Sequence, residues 1–329
     1  MRIALVLVTF AVAAHSAANT GKVVRVEKPR RTHVYVPSGT FKQGLTEEEV
    51  NAIATECEAA IQTPPILQVS GGGGGGLCDF YRDELMHTQV RDVYLDAFEI
   101  DRNEVTTGDY RRCVAGGGCS LDALIAGDER YIGTDSYPMV NVNWDEARRF
   151  CSWRKGRLPT EAEWERAARS GDGRAWPWGN ASRPNEFNHG KPRALVIQKI
   201  DRQGQGIVLA DPDGSDGFEL IAPVGSYTWG EGPYGTLDQA GNVAEWTADA
   251  WLHTDHEQGY QSLEHDAWRS LPTVNPLRDG PTSEKRVVRG GSWREPVFVA
   301  RANARDPYNV LYDPNGRYSH IGFRCAYRP

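Results

Sequence analysis

Apolar and polar residues alternate over residues 33–36 and 40–43, on either side of Pro37-Ser38-Gly39, which predicts two short strands with a turn between them. The period then lengthens. Thr46 and Glu49 form a capping box, and Val50, Ile53, Ala54, Cys57 and Ile61 share one helical face until Pro64-Pro65 ends it. Alternation returns at Val90, Asp92 and Tyr94 and runs on through Phe98 and Ile100, predicting a single strand. A helix is expected from about Thr107, with Tyr110, Cys113 and Val114 inward and Gly116-Gly117-Gly118 as its stop. Two further helices carry the clearest signals. Asn143 caps one that buries Ala147, Phe150 and Cys151, and Thr160 with Glu163 caps the other, whose stripe is Trp164, Ala167 and Ala168. Beyond Trp176 loops dominate. With no βαβ alternation and no long helix, a doubly wound sheet and an α/β barrel are excluded, and much of the backbone is irregular.

Composition sharpens this picture. At 329 residues and 40% hydrophobic the chain can bury a sizeable core, while 35 glycines and 19 prolines agree with the irregular backbone. A formal charge of -7 argues against nucleic acid or an anionic membrane as partner, because both require a basic surface. At the start, Arg2, an apolar run over residues 3–14 and small residues at Ser16, Ala17 and Ala18 read as an export signal over residues 1–18, with a polar linker over 19–32. That run is too short to span a bilayer, so a soluble periplasmic or secreted protein is expected. The hexaglycine at residues 71–76 is not followed by the helix and Lys-Ser/Thr that a phosphate loop needs, so it reads as a linker within an insertion over residues 45–80.

In an oxidising compartment the six cysteines favour disulfides over metal thiolates, since no CxxC spacing is present. Sequence alone does not choose the pairing. Proximity suggests Cys113 with Cys119 and Cys57 with Cys78, which leaves Cys151 and Cys325. The stretch from Arg286 to Pro329 draws attention for its arginine-rich middle, in which Arg289, Ser292, Trp293, Arg294, Glu295, Arg301, Asn303 and Arg305 could grip a carboxylate, a sulfate or a sugar face. The competing reading is that these arginines pair internally. His253-Thr254-Asp255-His256-Glu257 could hold a metal if helical, but Gly259 makes a solvated loop the better reading.

Four phrases then stand together: Gly156-Arg157-Leu158-Pro159-Thr160-Glu161-Ala162-Glu163-Trp164-Glu165, Gly241-Asn242-Val243-Ala244-Glu245-Trp246, Arg289-Gly290-Gly291-Ser292-Trp293 and Gly322-Phe323-Arg324-Cys325. Their order and spacing resemble the formylglycine-generating enzyme family, the sulfatase-modifying factors, over residues 33–329. The resemblance implies one domain of that family's fold, an irregular, loop-rich α+β arrangement related to C-type lectins, and supports a Cys151–Cys325 bridge. It also implies calcium at Asp238, Gly241, Val243 and Glu245, and again at Asn188, His189, Asp216 and Phe218, where main-chain oxygens serve beside carboxylates.

The family's chemistry is the oxidation of a substrate cysteine to formylglycine by copper and dioxygen, the Cu(I) held by two cysteines five residues apart. At the matching positions this chain has Glu295 and Ala300, and Ala244 replaces a family tryptophan. A carboxylate and a methyl group cannot stand in for a thiolate pair on a soft cation, so no copper is expected. The expectation is therefore an exported calcium-binding protein that binds a ligand or a protein partner. The alternative is a metal-dependent oxidoreductase of the same superfamily.

Overall fold

The chain turns its opening strands into two separate sheets. A computed structural model describes residues 32–60, 77–126, 134–191, 211–212, 214–251, 268–306 and 312–329. The export signal, almost all of the linker, the hexaglycine and the His253–Glu257 stretch lie outside the described residues. Strand β1 (His33–Val36) pairs antiparallel with β4 (Phe98–Asp101), whereas β2 (Gly39–Gln43) pairs antiparallel with β3 (Arg91–Leu95). The single strand expected through Ile100 is thus two, broken at Asp96-Ala97. The break has a visible cause. Asn275 Oδ1 accepts from the Asp96 amide at 2.8 Å and the Asn275 amide donates to the Tyr94 carbonyl, so a distant segment draws the chain out of line.

Between β2 and β3 the chain inserts two helices, α1 (Glu47–Ala60) and α2 (Leu77–Met86). The Thr46 capping box forms, and a bridge between Leu45 and Gln89 closes the base of the insertion. Cys57–Cys78 ties the helices together. Their apolar faces, with Val50, Ile53, Tyr81 and Leu85, pack on Phe298, Val299 and Ala304. No capping signal in the sequence marks α2.

Two shorter helices follow, α3 (Thr107–Ala115), capped by Thr106, and α4 (Asp122–Ala126), with Cys113–Cys119 between them. Then come α5 (Trp144–Trp153) and α6 (Glu161–Arg169), both opening on complete capping boxes at Asn143–Glu146 and Thr160–Glu163. Two-residue strands β5 (Gly190–Lys191) and β6 (Asp211–Pro212) pair antiparallel. The chain closes through β7 (Ala244–Ala250), β8 (Arg286–Arg289), β9 (Ile321–Gly322) and β10 (Ala326–Tyr327). Strand β7 lies between antiparallel β8 and parallel β9, and β10 joins β4 in the first sheet.

The main core gathers Tyr110, Phe150, Leu158, Trp246, Val288 and Phe323 around Cys151–Cys325, whose Cα atoms are 5.4 Å apart. Two of the three disulfides join the pairs that proximity suggested, and the third is the Cys151–Cys325 bridge that the resemblance implied. Residues Thr32–Pro329 form one compact unit of mixed helix and open sheets. No helix among the described residues is long and apolar enough to cross a membrane.

Candidate functional site

The arginine-rich stretch leaves β8 through Gly290 and Gly291, both at positive φ, and these let the chain fold under Trp164 and against Ala300. A side chain at Gly291 would come within 2.9 Å of the Ala300 Cα. The turn places Ser292 and Glu295 in the interior, where the Ser292 hydroxyl donates to Glu295 Oε2. Burial pushes the Glu295 carboxyl up, with Arg294 and Ser292 opposing.

Beside it lies His320, with Nε2 3.8 Å from Glu295 Oε1. Arg294 Nη1 is 3.1 Å from His320 Nδ1 and, having no lone pair, must be the donor. The proton of the neutral ring therefore sits on Nε2, which faces the Tyr312 hydroxyl at 3.2 Å, and that hydroxyl donates to Asp306 Oδ2 at 3.4 Å. Burial, then the Arg294 charge, lowers the His320 pKa well below its ordinary value. Trp293 packs at the edge, its Nε1 donating to the Ser319 carbonyl. In sequence His320 is a single histidine with no visible partner and Tyr312 carries no signal; only the fold brings them to Glu295.

The remaining arginines of the candidate set face inward. Arg305 donates to both oxygens of Glu161 at 2.7 and 2.6 Å, and Arg289 reaches Glu161 at 2.9 Å and Glu165 at 3.1 Å. Burial alone would raise the Glu161 carboxyl, but Arg305 and Arg289 hold it down at about 2. Arg301 pairs with Glu56 on α1, its Nε 3.2 Å from Oε2, and Asn303 Nδ2 donates to Glu49 Oε1 at 3.0 Å. The insertion thus supplies the partners of Arg301 and Asn303. Ser292, Trp293, Arg294 and Glu295 remain as a group around His320. Ala300 is buried against Trp176 and Ala240, and Ala244 lies in the main core.

For copper the donors do not fit. All six cysteines are in disulfides, and the two positions where the resemblance implies thiolates carry a hydrogen-bonded carboxylate and a methyl group. A Cu(I) ion seeks soft ligands, and no cysteine thiolate is free to supply the pair.

For calcium the first implied set offers an open oxygen. Asn188 is buried, and its Nδ2 donates to the Leu220 carbonyl at 2.7 Å, which fixes the amide orientation and leaves the buried Oδ1 without a hydrogen-bond partner among the described residues. A buried acceptor in that condition calls for a donor or a cation. Asp216 accepts from the amides of His189 and Phe218 at 2.8 and 3.0 Å, which ties the 188–189 segment to the 216–218 turn. Burial raises the Asp216 carboxyl.

At the other set, Asp238 and Gly241 both have positive φ, and a Cβ on Gly241 would lie 2.0 Å from the Asn188 carbonyl oxygen. Only glycine permits that approach. Burial pushes the Asp238 carboxyl up to about 6. Glu245 is buried beneath Arg324, whose Nη2 and Nε donate to its two oxygens at 2.6 and 2.7 Å. A third buried carboxylate, Glu104, stands beside them and is raised by burial, then by Asp238 and Glu245. Among the described residues no three His, Cys, Asp or Glu side chains converge as a metal set.

The chain has recognisable relatives among known proteins. The model of the "Sulfatase-modifying factor enzyme 1-like domain" family matches residues 20–329. The formylglycine-generating enzyme of Mus musculus is 35% identical over 205 residues, 60% of this chain and 46% of its own length. The "Inactive C-alpha-formylglycine-generating enzyme 2" of Bos taurus is 33% identical over 192 residues, 58% of this chain and 50% of its own. The chain thus spans about half the length of these curated relatives. Among solved structures, PvdO from Pseudomonas aeruginosa superposes with a TM-score of 0.55 over 90% of this chain and 94% of its own, at 24% identity, a likeness of fold.

Proposed function

The chain belongs to the sulfatase-modifying factor enzyme 1-like family, and from that premise we propose that it is an exported, calcium-holding member that binds a ligand or protein partner and does not generate formylglycine through copper. One observation carries the reading. Every cysteine is committed to a disulfide, while Glu295 and Ala300 stand buried where the family's thiolates are implied. Similarity to both an active and an inactive formylglycine-generating enzyme leaves room for either outcome, and the donor set favours the inactive kind.

Ligand contact centres on Arg294 beside Trp293, because Arg289, Arg301 and Arg305 are more deeply buried against internal carboxylates, whereas Arg294, which also meets Glu295 and His320, is the most exposed of the four. Arg294 keeps 19% of its side chain exposed, which suits a charge-assisted contact to an anionic group. Export is supported by the apolar leader and by three disulfides, which persist in oxidising compartments. Calcium, when bound, supplies charge and loop order. Asn188 Oδ1, Asp216 and the oxygens of residues 189 and 218 would hold one ion, and Asp238, Glu245 and the carbonyls of residues 241 and 243 the other.

The test is to incubate the purified mature chain with copper, oxygen and a Cys-X-Pro-X-Arg peptide and to follow the peptide mass. An unchanged peptide is expected, and conversion of its cysteine overturns the reading. A second reading, a metal-dependent oxidoreductase, draws on the Arg294–His320–Tyr312–Asp306 chain, which could relay a proton near Glu295. Iron in place of copper in the same incubation tests it.

A further inference from the structure

We propose that Arg301, backed by Trp176, is a carboxylate subsite that the chain keeps filled with its own Glu56 until a carboxylate of the ligand takes that place; the proposal rests on the ligand-binding reading above and names a chemistry for it. Of the three arginines engaged internally, Arg301 differs in its partner. Arg289 and Arg305 pair with Glu161 or Glu165, whose side chains are only 3% and 0% exposed. Glu56 has 41% of its side chain in solvent, while Arg301 has 10%. A carboxylate that water can reach is held weakly, because solvent competes for it.

The guanidinium is seated by other groups. Arg301 Nε donates to Glu56 Oε2 at 3.2 Å and Nη2 donates to Oε1, the bidentate fork that recognises a carboxylate. Behind the fork, Arg301 Cζ lies 5.4 Å from the centroid of the Trp176 ring, and the Ala302 amide donates to the Ala175 carbonyl at 2.9 Å, which holds Arg301 against the indole. Trp176 is itself stacked on Trp178 and packed on Phe187 and Ala300. Glu56, by contrast, is hydrogen-bonded to Arg301 and to no other described residue. It can turn out to solvent with α1 unmoved, since Val50, Ile53 and Cys57 anchor that helix. Two buried polar atoms lack partners among the described residues, Trp176 Nε1 beneath Arg301 and Asn303 Oδ1 two positions along from it. The bond from Asn303 Nδ2 to Glu49 Oε1 fixes which end of that amide stays open. An open donor and an open acceptor beside a guanidinium suit a carboxylate with an N–H group near it, as in an acidic peptide.

Calorimetric titration of the full chain with an acetylated tetraglutamate peptide tests this, with sodium acetate and the matching tetraglutamine peptide as parallel probes. Glu56→Gln removes the charge of the internal competitor and keeps its shape, so the acidic peptide is expected to bind about threefold to tenfold tighter than it does to the unmutated chain. Adding Arg301→Met to Glu56→Gln should abolish that gain. A gain with acetate as well supports a site for free carboxylates, and a gain with the peptide alone supports an acidic segment of a protein partner. Should Glu56→Gln lose its near-ultraviolet dichroism, Glu56→Asp, which withdraws the carboxylate by one methylene, carries the same comparison. Equal affinity with and without the Glu56 charge overturns the displacement, and an equal gain with tetraglutamine overturns the carboxylate assignment. A gain that survives Arg301→Met, or no heat from any probe with Glu56→Gln, overturns the subsite. Peptide binding that Arg294→Met removes, but that neither Glu56 nor Arg301 affects, overturns the subsite while the ligand-binding reading stands.

Discussion

At the scale of single residues, the interior is dense in charge, and Asp249 shows the consequence. It is buried beside Glu161, accepting from the Glu161 amide at 2.7 Å and the Arg278 amide at 2.9 Å. Burial, then the Glu161 charge, pushes its carboxyl up to about 7. The unfolded value is about 3.9, so between these limits the folded chain binds the extra proton. The stabilisation from this group is thus full below about pH 4 and is lost as pH rises through about 7, a change of up to about 4 kcal/mol. Asp249→Asn is expected to flatten the fall in stability across that window, read by urea denaturation at several pH values. It also forfeits one of the two amide contacts, so the slope is the informative quantity. Gly241→Ala is a second test at this scale. The added methyl group meets the Asn188 carbonyl and φ is 73°, so a loss of more than about 2 kcal/mol is expected in the same assay. Glycine at 241 is plain in the sequence, but its reason lies in a carbonyl 53 positions away in the chain.

At the scale of elements, local chemistry reads well where it is self-contained. The capping boxes at Thr46, Asn143 and Thr160 all form, because each needs only residues three apart. Thr160→Ala should cost about 1 kcal/mol, seen as a lower thermal midpoint, while Thr160→Ser should recover most of it. The strand break at Asp96 and helix α2 were not legible. Asn275 makes the break from far along the chain, and α2 gains its stability by packing Tyr81 and Leu85 on Phe298 and Val299. Neither cause lies inside the element concerned.

At the scale of the whole molecule, the closing stretch locks onto the centre. Cys325 reaches Cys151 across 174 residues, and Arg324 beside it binds Glu245, the Leu237 carbonyl and the carbonyls of Asp101 and Arg102. Replacing both Cys151 and Cys325 by alanine should lower stability by about 2–5 kcal/mol, measured by guanidinium unfolding under non-reducing conditions. Loss should be larger when only Arg324→Met is made, because Glu245 then stays buried without its counter-charge.

What the sequence by itself determined is the set of short-range facts: the capped helices, the turns that need glycine, the pairing of near cysteines, and the missing thiolates at positions 295 and 300. These follow from residue type and spacing, which no fold can alter. What only the tertiary structure decided is which charged groups meet. Arg301 and Asn303 could have faced a ligand, but the α1–α2 insertion brings Glu56 and Glu49 to them. His320 and Tyr312 carry no motif, yet they stand beside Glu295. Asn242 is one residue of a recognisable phrase, and only in the fold do Asn188, Glu104 and Ala222 converge on it. The physical reason is the same each time: a buried polar group must find its partner wherever the folded chain supplies one, and sequence distance does not limit where that is.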